Sequence, residues 1–169
     1  MKKKIALIFG ISGQDGSYLA EFLIKKKYAV IGVTRNKSKK NLYRLEKLKI
    51  LNKVKLIKCS FVSIKFVDSL LEKNKNIQEI YYLAGESSVT KSFKNPENSI
   101  KSNTVGILNI LLSIKKIKKK IKIFNASSAQ IFGNNKDNFY SEFSKIAPST
   151  PYAISKASGY WFTKIFREN

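Results

Sequence analysis

The stretch Ile5-Ala-Leu-Ile-Phe-Gly10-Ile-Ser-Gly13-Gln-Asp-Gly16 decides the fold, because it joins a short apolar run to three regularly spaced glycines. A five-residue apolar run that ends at a glycine is typical of a buried parallel strand. Residues 17–27 follow with apolar side chains at helical spacing. A glycine turn in this position can bring the free N–H groups of a helix N-terminus against a pyrophosphate. The context therefore favours a dinucleotide-binding turn over a plain glycine turn.

The rest of the chain continues the alternation of strand and helix patterns. Apolar runs predict further strands at residues 29–33, 54–58, 80–83 and 121–125. Apolar side chains at helical spacing predict helices at residues 42–51, 64–73, 97–117 and 151–167, with a loop over 132–151. Strands that alternate with helices imply right-handed crossovers. We therefore predict an α/β fold in which residues 1–169 form one Rossmann domain around a doubly wound parallel sheet.

The net charge of +22 arises from 33 basic and 11 acidic residues and could indicate a nucleic-acid surface. Lysines, however, occur in nearly every segment, whereas arginine, the preferred reader of bases, occurs only at Arg35, Arg44 and Arg167. We interpret the charge as a lysine-rich solvated surface that attracts anionic ligands. No nucleic-acid partner is expected.

Other features of the composition bear on the cellular compartment. No apolar run approaches the roughly 20 residues that a membrane-spanning helix needs. Residues 1–9 begin with lysines and continue with apolar residues as a signal peptide does, but no small-residue cleavage site follows. Cys59 is the single cysteine, which suits a reducing compartment. We therefore expect a cytoplasmic protein that does not associate with membranes.

The residues after the second predicted strand bear on the choice between NAD and NADP. A site for NAD normally places Asp or Glu there to bind the ribose hydroxyls, whereas an arginine suits the 2′-phosphate of NADP. This chain has Thr34-Arg35-Asn36-Lys37 and no acid at that point. Arg35 therefore favours NADP, the alternative being an ordinary exposed arginine in a lysine-rich loop.

Tyr152 and Lys156 open the last predicted helix, just after Pro151. Because residues i and i+4 share one helical face, the lysine ammonium can stabilise the Tyr152 phenolate and make it a usable acid or base. Ser127 and Ser128 follow the fifth strand, at the edge where open α/β sheets bind ligands. The structural alternatives are an exposed tyrosine over a lysine and a serine that caps a turn. The absence of histidine from the sequence excludes histidine-based triads and histidine metal sites.

Four stretches resemble the GDP-mannose 4,6-dehydratases, a family of the extended short-chain dehydrogenases. They are GISGQDGSYLAEFLIKK at 10–26, YYLAGESSVTKSFKNPENS at 81–99, FNASSAQIFG at 124–133 and STPYAISKASGYWFTKIFRE at 149–168. The GQDGSYLAEFL and SSVxxSFxxP patterns are more specific than the glycine spacing or YxxxK alone. The resemblance extends along nearly the whole chain.

The resemblance implies an NADP-dependent, internally redox-neutral dehydration of GDP-mannose to a 4-keto-6-deoxy sugar nucleotide. In such enzymes the tyrosine, here Tyr152, takes the proton of the C4 hydroxyl while hydride passes to NADP. Lys156 would assist Tyr152 and hold the nicotinamide ribose, and Ser128 would hydrogen-bond the C4 oxygen. A carboxylate then removes the C5 proton, water leaves from C6, and hydride returns to C6.

The resemblance also assigns contacts to the cofactor, the substrate and a second subunit. The implied cofactor contacts are Gly10, Ser12, Gly13, Gln14, Asp15, Gly16, Arg35, Leu83, Ala84, Tyr152 and Lys156. The implied substrate contacts are Ser87, Ser88 and Ser128. The family pairs through helices, and residues 105–117 of the predicted helix are apolar on more than one side, so a homo-oligomer is expected for the full-length protein.

Three positions and the length depart from the family pattern. Gln130 replaces the family's glutamate base, and a carboxamide cannot accept a proton at neutral pH. Ala129 replaces a serine, and Ser60 replaces an aspartate that contacts adenine. Family members continue with a substrate lobe, so we expect the amino-terminal part only, truncated before that lobe, and no turnover by these 169 residues alone.

Two other functions are compatible with these departures. The sequence Ser-Ser-Ala-Gln over residues 127–130 is similar to that of sugar-nucleotide epimerases and reductases, which act at C4 without eliminating water. A catalytically inactive dinucleotide-binding module is the second alternative, and Gln130, Ser60 and the missing lobe favour it.

Overall fold

The computed structural model describes residues 3–133 and 139–169, which contain a five-stranded parallel sheet. The strands are β1 (Ile5–Phe9), β2 (Ala29–Thr34), β3 (Val54–Lys58), β4 (Ile77–Tyr82) and β5 (Lys122–Asn125), in the order β3-β2-β1-β4-β5. Each pair of neighbouring strands is parallel. The helices are α1 (Gln14–Lys25), α2 (Lys39–Lys47), α3 (Ile64–Lys73), α4 (Val89–Lys94), α5 (Pro96–Ile100), α6 (Gly106–Ile117) and α7 (Pro151–Glu168).

The sheet separates two apolar cores, because alternate residues of each strand point to opposite faces. Leu7 and Phe9 of β1 join the core that α3, α6 and α7 cover. Ala6 and Ile8 join the core that α1 and α2 cover. All four side chains are fully buried, which is why β1 appears in the sequence as an uninterrupted apolar run.

The strand order creates a crevice at the carboxyl edge of the sheet. The chain runs outward from β1 to β2 and β3 and then returns to the other side of β1 with β4 and β5. Such a reversal is the switch point at which open α/β sheets bind ligands. The glycine turn that follows β1 lies at this point.

The predicted fold class is confirmed, and the differences concern the ends of elements. The predicted helix over 97–117 is a run of α5, a π-helical turn at Lys101–Val105 and α6, and the short helix α4 precedes it. The predicted helix over 42–51 begins earlier and ends at Lys47, and Leu51–Lys53 forms a 3₁₀ turn. Strand β4 begins at Ile77 rather than at residue 80. Part of the predicted loop, residues 134–138, lies outside the described residues.

Within residues 3–133 and 139–169, no helix combines the length and apolar character that crossing a membrane requires.

Candidate functional site

The carboxyl ends of the first four strands line a cleft of about 560 Å³. Six residues expected to contact a cofactor line this cleft: Gly10, Ser12, Gly13, Arg35, Leu83 and Ala84. The other residues of the predicted turn, Gln14, Asp15 and Gly16, form the first turn of α1 beside it. Gln14 and Asp15 are exposed, whereas Gly16 is buried under the turn.

The β1–α1 turn requires glycine for backbone reasons. Gly10 has φ +85°, and a Cβ atom there would lie 2.8 Å from the backbone of Leu83 and Ala84. A Cβ at Gly16 would collide with the carbonyl oxygen of Gly10. Among the described residues no side chain caps α1, so its first-turn N–H groups remain available to an anion. The turn therefore has the shape and the donors of a phosphate-binding loop.

A polar network forms the wall of the cleft next to β2. The hydroxyls of Ser12 and Thr34 are 2.9 Å apart, and Asn41 Nδ2 donates to both of them at 3.1 and 2.9 Å. Arg44 Nη1 lies 3.5 Å from the carbonyl oxygen of Ser12, and Arg35 at the end of β2 is exposed. This wall therefore carries two guanidinium groups close to the glycine turn.

The sequence analysis did not predict Asn41 and Arg44 as residues of the site, although the spacing of buried leucines in α2 indicates where they lie. Leu42 and Leu45 are buried against the sheet, so the residues just before them lie at the border of the buried face. Asn41 and Arg44 are each half-buried and line the cleft.

Tyr152 and Lys156 lie one turn apart on α7, as predicted. Lys156 Nζ is 5.9 Å from the centre of the Tyr152 ring and donates to the carbonyl oxygen of Ala126 at 3.1 Å. Ala126 directly follows β5, so this hydrogen bond ties the lysine to the carboxyl edge of the sheet. Burial of the Lys156 ammonium lowers its pKa from the ordinary value for lysine.

The N-terminus of α7 is fixed by hydrogen bonds from three directions. The Tyr152 N–H donates to the buried Ser92 hydroxyl at 3.1 Å, and the Ala153 N–H donates to Thr150 Oγ1 at 3.0 Å. The Ser155 hydroxyl donates to the Tyr152 carbonyl at 2.7 Å and accepts from Asn103 Nδ2 at 3.1 Å. The backbone that carries Tyr152 is therefore held by α4 and by the π-helical turn.

The predicted substrate residues occupy two other places. The Ser87 and Ser88 N–H groups donate to Glu86 Oε1 at 3.0 and 3.1 Å, and the Ser88 hydroxyl caps α4 by accepting from the Lys91 N–H at 3.2 Å. Ser128 caps the 3₁₀ turn Ala129–Phe132 by accepting from the Gln130 N–H at 3.2 Å. Each serine thus has a structural role, and substrate binding by them stays a prediction.

Ser128 also lines a second cleft, of about 500 Å³, together with Ser127, Glu142 and Tyr160. Gln130 is exposed beside it. The structure therefore brings the glycine turn and the arginines to one cleft, and places Ser128 in another.

Comparison with known proteins identifies the family. The profile of GDP-mannose 4,6 dehydratases matches residues 7–169. The chain belongs to this family. GDP-mannose 4,6 dehydratase 2 of Caenorhabditis elegans is 36% identical over 176 residues, which cover 99% of this chain and 46% of the relative. The GDP-mannose 4,6-dehydratase of Vibrio cholerae O1 is 35% identical over 180 residues, which cover 100% and 47%.

Solved structures show the same fold at lower identity. The UDP-Glc/GlcNAc 4-epimerase of Campylobacter jejuni superposes with a TM-score of 0.86 and 23% identity, covering 98% of this chain and 49% of the epimerase. A dTDP-glucose 4,6-dehydratase of Streptomyces venezuelae with NAD bound gives 0.81 and 20%, covering 100% and 52%. The chain thus spans about half the length of the dehydratases it matches, and the predicted family resemblance is confirmed.

Proposed function

We propose that these residues form the NADP-binding part of an enzyme that dehydrates GDP-mannose to a 4-keto-6-deoxy sugar nucleotide. The observation that carries the proposal is the placement of Lys156 at the end of β5, with its Nζ on the Ala126 carbonyl and 5.9 Å from the centre of the Tyr152 ring. Family membership over residues 7–169 supports the choice of reaction over its alternatives.

The shape of the cleft fits a dinucleotide. Because Gly10 has no Cβ atom, the turn leaves space beside it that any other side chain would fill. The uncapped first turn of α1 offers N–H donors to a pyrophosphate. In this proposal Gly10, Gly13 and Ser12 hold the phosphates, while Leu83 and Ala84 contact the adenosine half. When bound, NADP supplies the hydride acceptor and donor for the redox steps on the sugar.

NADP is proposed rather than NAD because the wall next to β2 is cationic. Arg35 directly follows β2 without an acidic neighbour, and Arg44 lies 3.5 Å from the Ser12 carbonyl. Two guanidinium groups suit a 2′-phosphate, whereas free ribose hydroxyls call for a carboxylate. Arg44 is the better placed of the two, because it is half-buried and Arg35 is exposed.

The proton chemistry belongs to α7 and to the turn after β5. Tyr152 would accept the proton of the C4 hydroxyl, and the Lys156 ammonium, oriented by the Ala126 carbonyl, would stabilise the resulting phenolate charge. The Ser128 hydroxyl would hydrogen-bond the same sugar oxygen. Because the Ser92 hydroxyl accepts a hydrogen bond from the Tyr152 N–H, the backbone from which the phenol extends is held in place.

Gln130 favours a second candidate, a nucleotide-sugar C4 epimerase or reductase. A carboxamide cannot remove the C5 proton, so redox chemistry at C4 would not be followed by loss of water. Incubation of the enzyme that contains these residues with NADP and GDP-mannose, followed by mass spectrometry and proton NMR of the sugar nucleotide, separates the two functions. The proposal expects a product lighter by one water that Tyr152→Phe abolishes. A product of unchanged mass but inverted C4, or recovery of GDP-mannose alone, would contradict it.

The proposal includes a homo-oligomer and a cytoplasmic location. Apolar side chains on neighbouring helices are exposed at Ile100, Leu112, Ile154, Trp161 and Ile165, and a second copy packing on them would cover this face. Light scattering should therefore give a dimer mass for the wild-type chain and a monomer mass for Trp161→Glu. A wild-type monomer at high concentration would contradict the proposed oligomeric state.

The single cysteine, Cys59, supports the proposed location in a reducing compartment.

A further inference from the structure

A third cation lines the cleft from the side opposite the arginines. The α5 helix and the following π-helical turn contribute Asn98, Lys101 and Ser102 to the lining. Helix α2, which carries Arg44, packs on one face of the sheet, while α6, which continues this turn, packs on the other. Lys101 and Arg44 therefore approach the cleft from opposite faces of the sheet.

Lys101 contributes an exposed ammonium group to this side of the lining. The Ser102 hydroxyl donates to the Asn98 carbonyl at 2.7 Å and accepts from the Glu86 N–H at 3.1 Å, so it is held in place. Lys101 Nζ contacts Glu97 Oε1 at 2.5 Å, and the two side chains are 54% and 74% exposed. Exposed ion pairs of this kind stabilise little, so an anion in the cleft can compete for the ammonium.

We infer that Lys101 binds the phosphates of the dinucleotide from the second wall of the cleft, with Glu97 as its partner in the free protein. This inference rests on the proposed dinucleotide function. Arg44 lies on the wall next to β2, where the proposed function places the 2′-phosphate of NADP. Lys101 lines the cleft from the opposite face of the sheet, so in this inference it contacts the part that NAD and NADP share and strengthens the binding of both.

Calorimetric titration of the full chain with NADP and with NAD tests the inference. Lys101→Gln should raise both dissociation constants by roughly fivefold, because one charged contact of modest strength is lost. Glu97→Gln should lower both dissociation constants, since it frees the ammonium. Lys94→Gln removes an equal charge from exposed α4 and should leave both unchanged. Lys101→Arg, which keeps the charge, should bind like the wild type.

The outcomes separate the inference from the function on which it rests. If Lys101→Gln binds both dinucleotides within twofold of the wild type, or weakens NADP alone, the inference is wrong while the proposed function stands. If the wild-type chain binds neither dinucleotide, the proposed function and the inference both fail. Thermal melting by circular dichroism verifies that each variant is folded.

Discussion

At the residue level, Arg44 and Lys156 show how the contacts of a half-buried cation determine what it can do. Arg44 extends from α2 to the Ser12 carbonyl and lines the cleft at the carboxyl edge of the sheet, so its charge stays within reach of an anion. Lys156 is half-buried as well, but its ammonium is anchored to the Ala126 carbonyl, so its position is fixed, and burial disfavours its charged form. The first residue thus suits ligand discrimination and the second suits support of Tyr152.

Arg44→Gln should weaken NADP binding by about tenfold and leave NAD binding unchanged, because a charge-assisted contact to phosphate contributes about 1.5 kcal/mol or more. Fluorescence titration with NADPH and NADH measures both affinities. Arg167→Gln, at the end of α7, is the matched control and should change neither. An equal loss for both dinucleotides would show that Arg44 does not bind the 2′-phosphate.

The pH at which Lys156 loses its proton should lie below the ordinary lysine value of 10.5. Burial disfavours the ammonium, so the charge that supports Tyr152 is fully present at low pH and is lost as pH rises through the lowered pKa. Titration of the lysine ¹³Cε resonances by NMR measures this pKa, and Lys156→Arg assigns the resonance by removing it. A midpoint at or above the ordinary value would contradict the account.

At the level of elements, the turn between β1 and α1 combines folding and binding in one short segment. The Gly10 N–H donates to the Val33 carbonyl at 3.0 Å. Because Gly10 has no Cβ, the backbone of Leu83 and Ala84, which follow β4, can pack closely against it. The same absence of side chains leaves space for a pyrophosphate at the helix N-terminus. A substitution in this turn should therefore affect stability as well as binding.

Gly10→Ala should lower the free energy of unfolding by about 2 kcal/mol, because it imposes a positive φ on alanine and a 2.8 Å contact with the backbone of Leu83 and Ala84. The melting temperature should fall by roughly 4–8 °C. Gly13→Ala is the control, since a Cβ there would lie 3.2 Å from one oxygen and its φ is not positive. Equal melting temperatures for the two variants would refute the strain argument.

The sequence located β1 and β2 well because these central strands are buried on both faces and are therefore almost uninterrupted apolar runs. It placed the start of β4 too late because Gln78 and Glu79 interrupt the run, and only the structure shows that Glu79 accepts from the hydroxyls of Tyr28 and Tyr81. The sequence did not predict the π-helical turn, because a single π turn inside a helix does not change the spacing of apolar residues enough to be recognised. Asn103, which holds Ser155 near Tyr152, could not be paired with α7 before the fold was known.

For the molecule as a whole, the strand order brings distant segments to one edge. The glycine turn near residue 10, the arginine of α2, the turn after β4 and the lysine after α5 meet around a single cleft. Lys156 reaches the same edge of the sheet through its hydrogen bond to the Ala126 carbonyl, and the Tyr152 ring lies 5.9 Å from its ammonium. The net charge of +22 should strengthen the attraction of this edge for a polyanionic ligand.

Calorimetric titration of the wild-type chain with NADP and NAD tests the central claim most directly. The account predicts one NADP per chain, with an affinity at least about tenfold higher than that for NAD, in line with one phosphate–guanidinium contact. A chain that binds neither dinucleotide, or that prefers NAD, would contradict the assignment of the cleft as an NADP site.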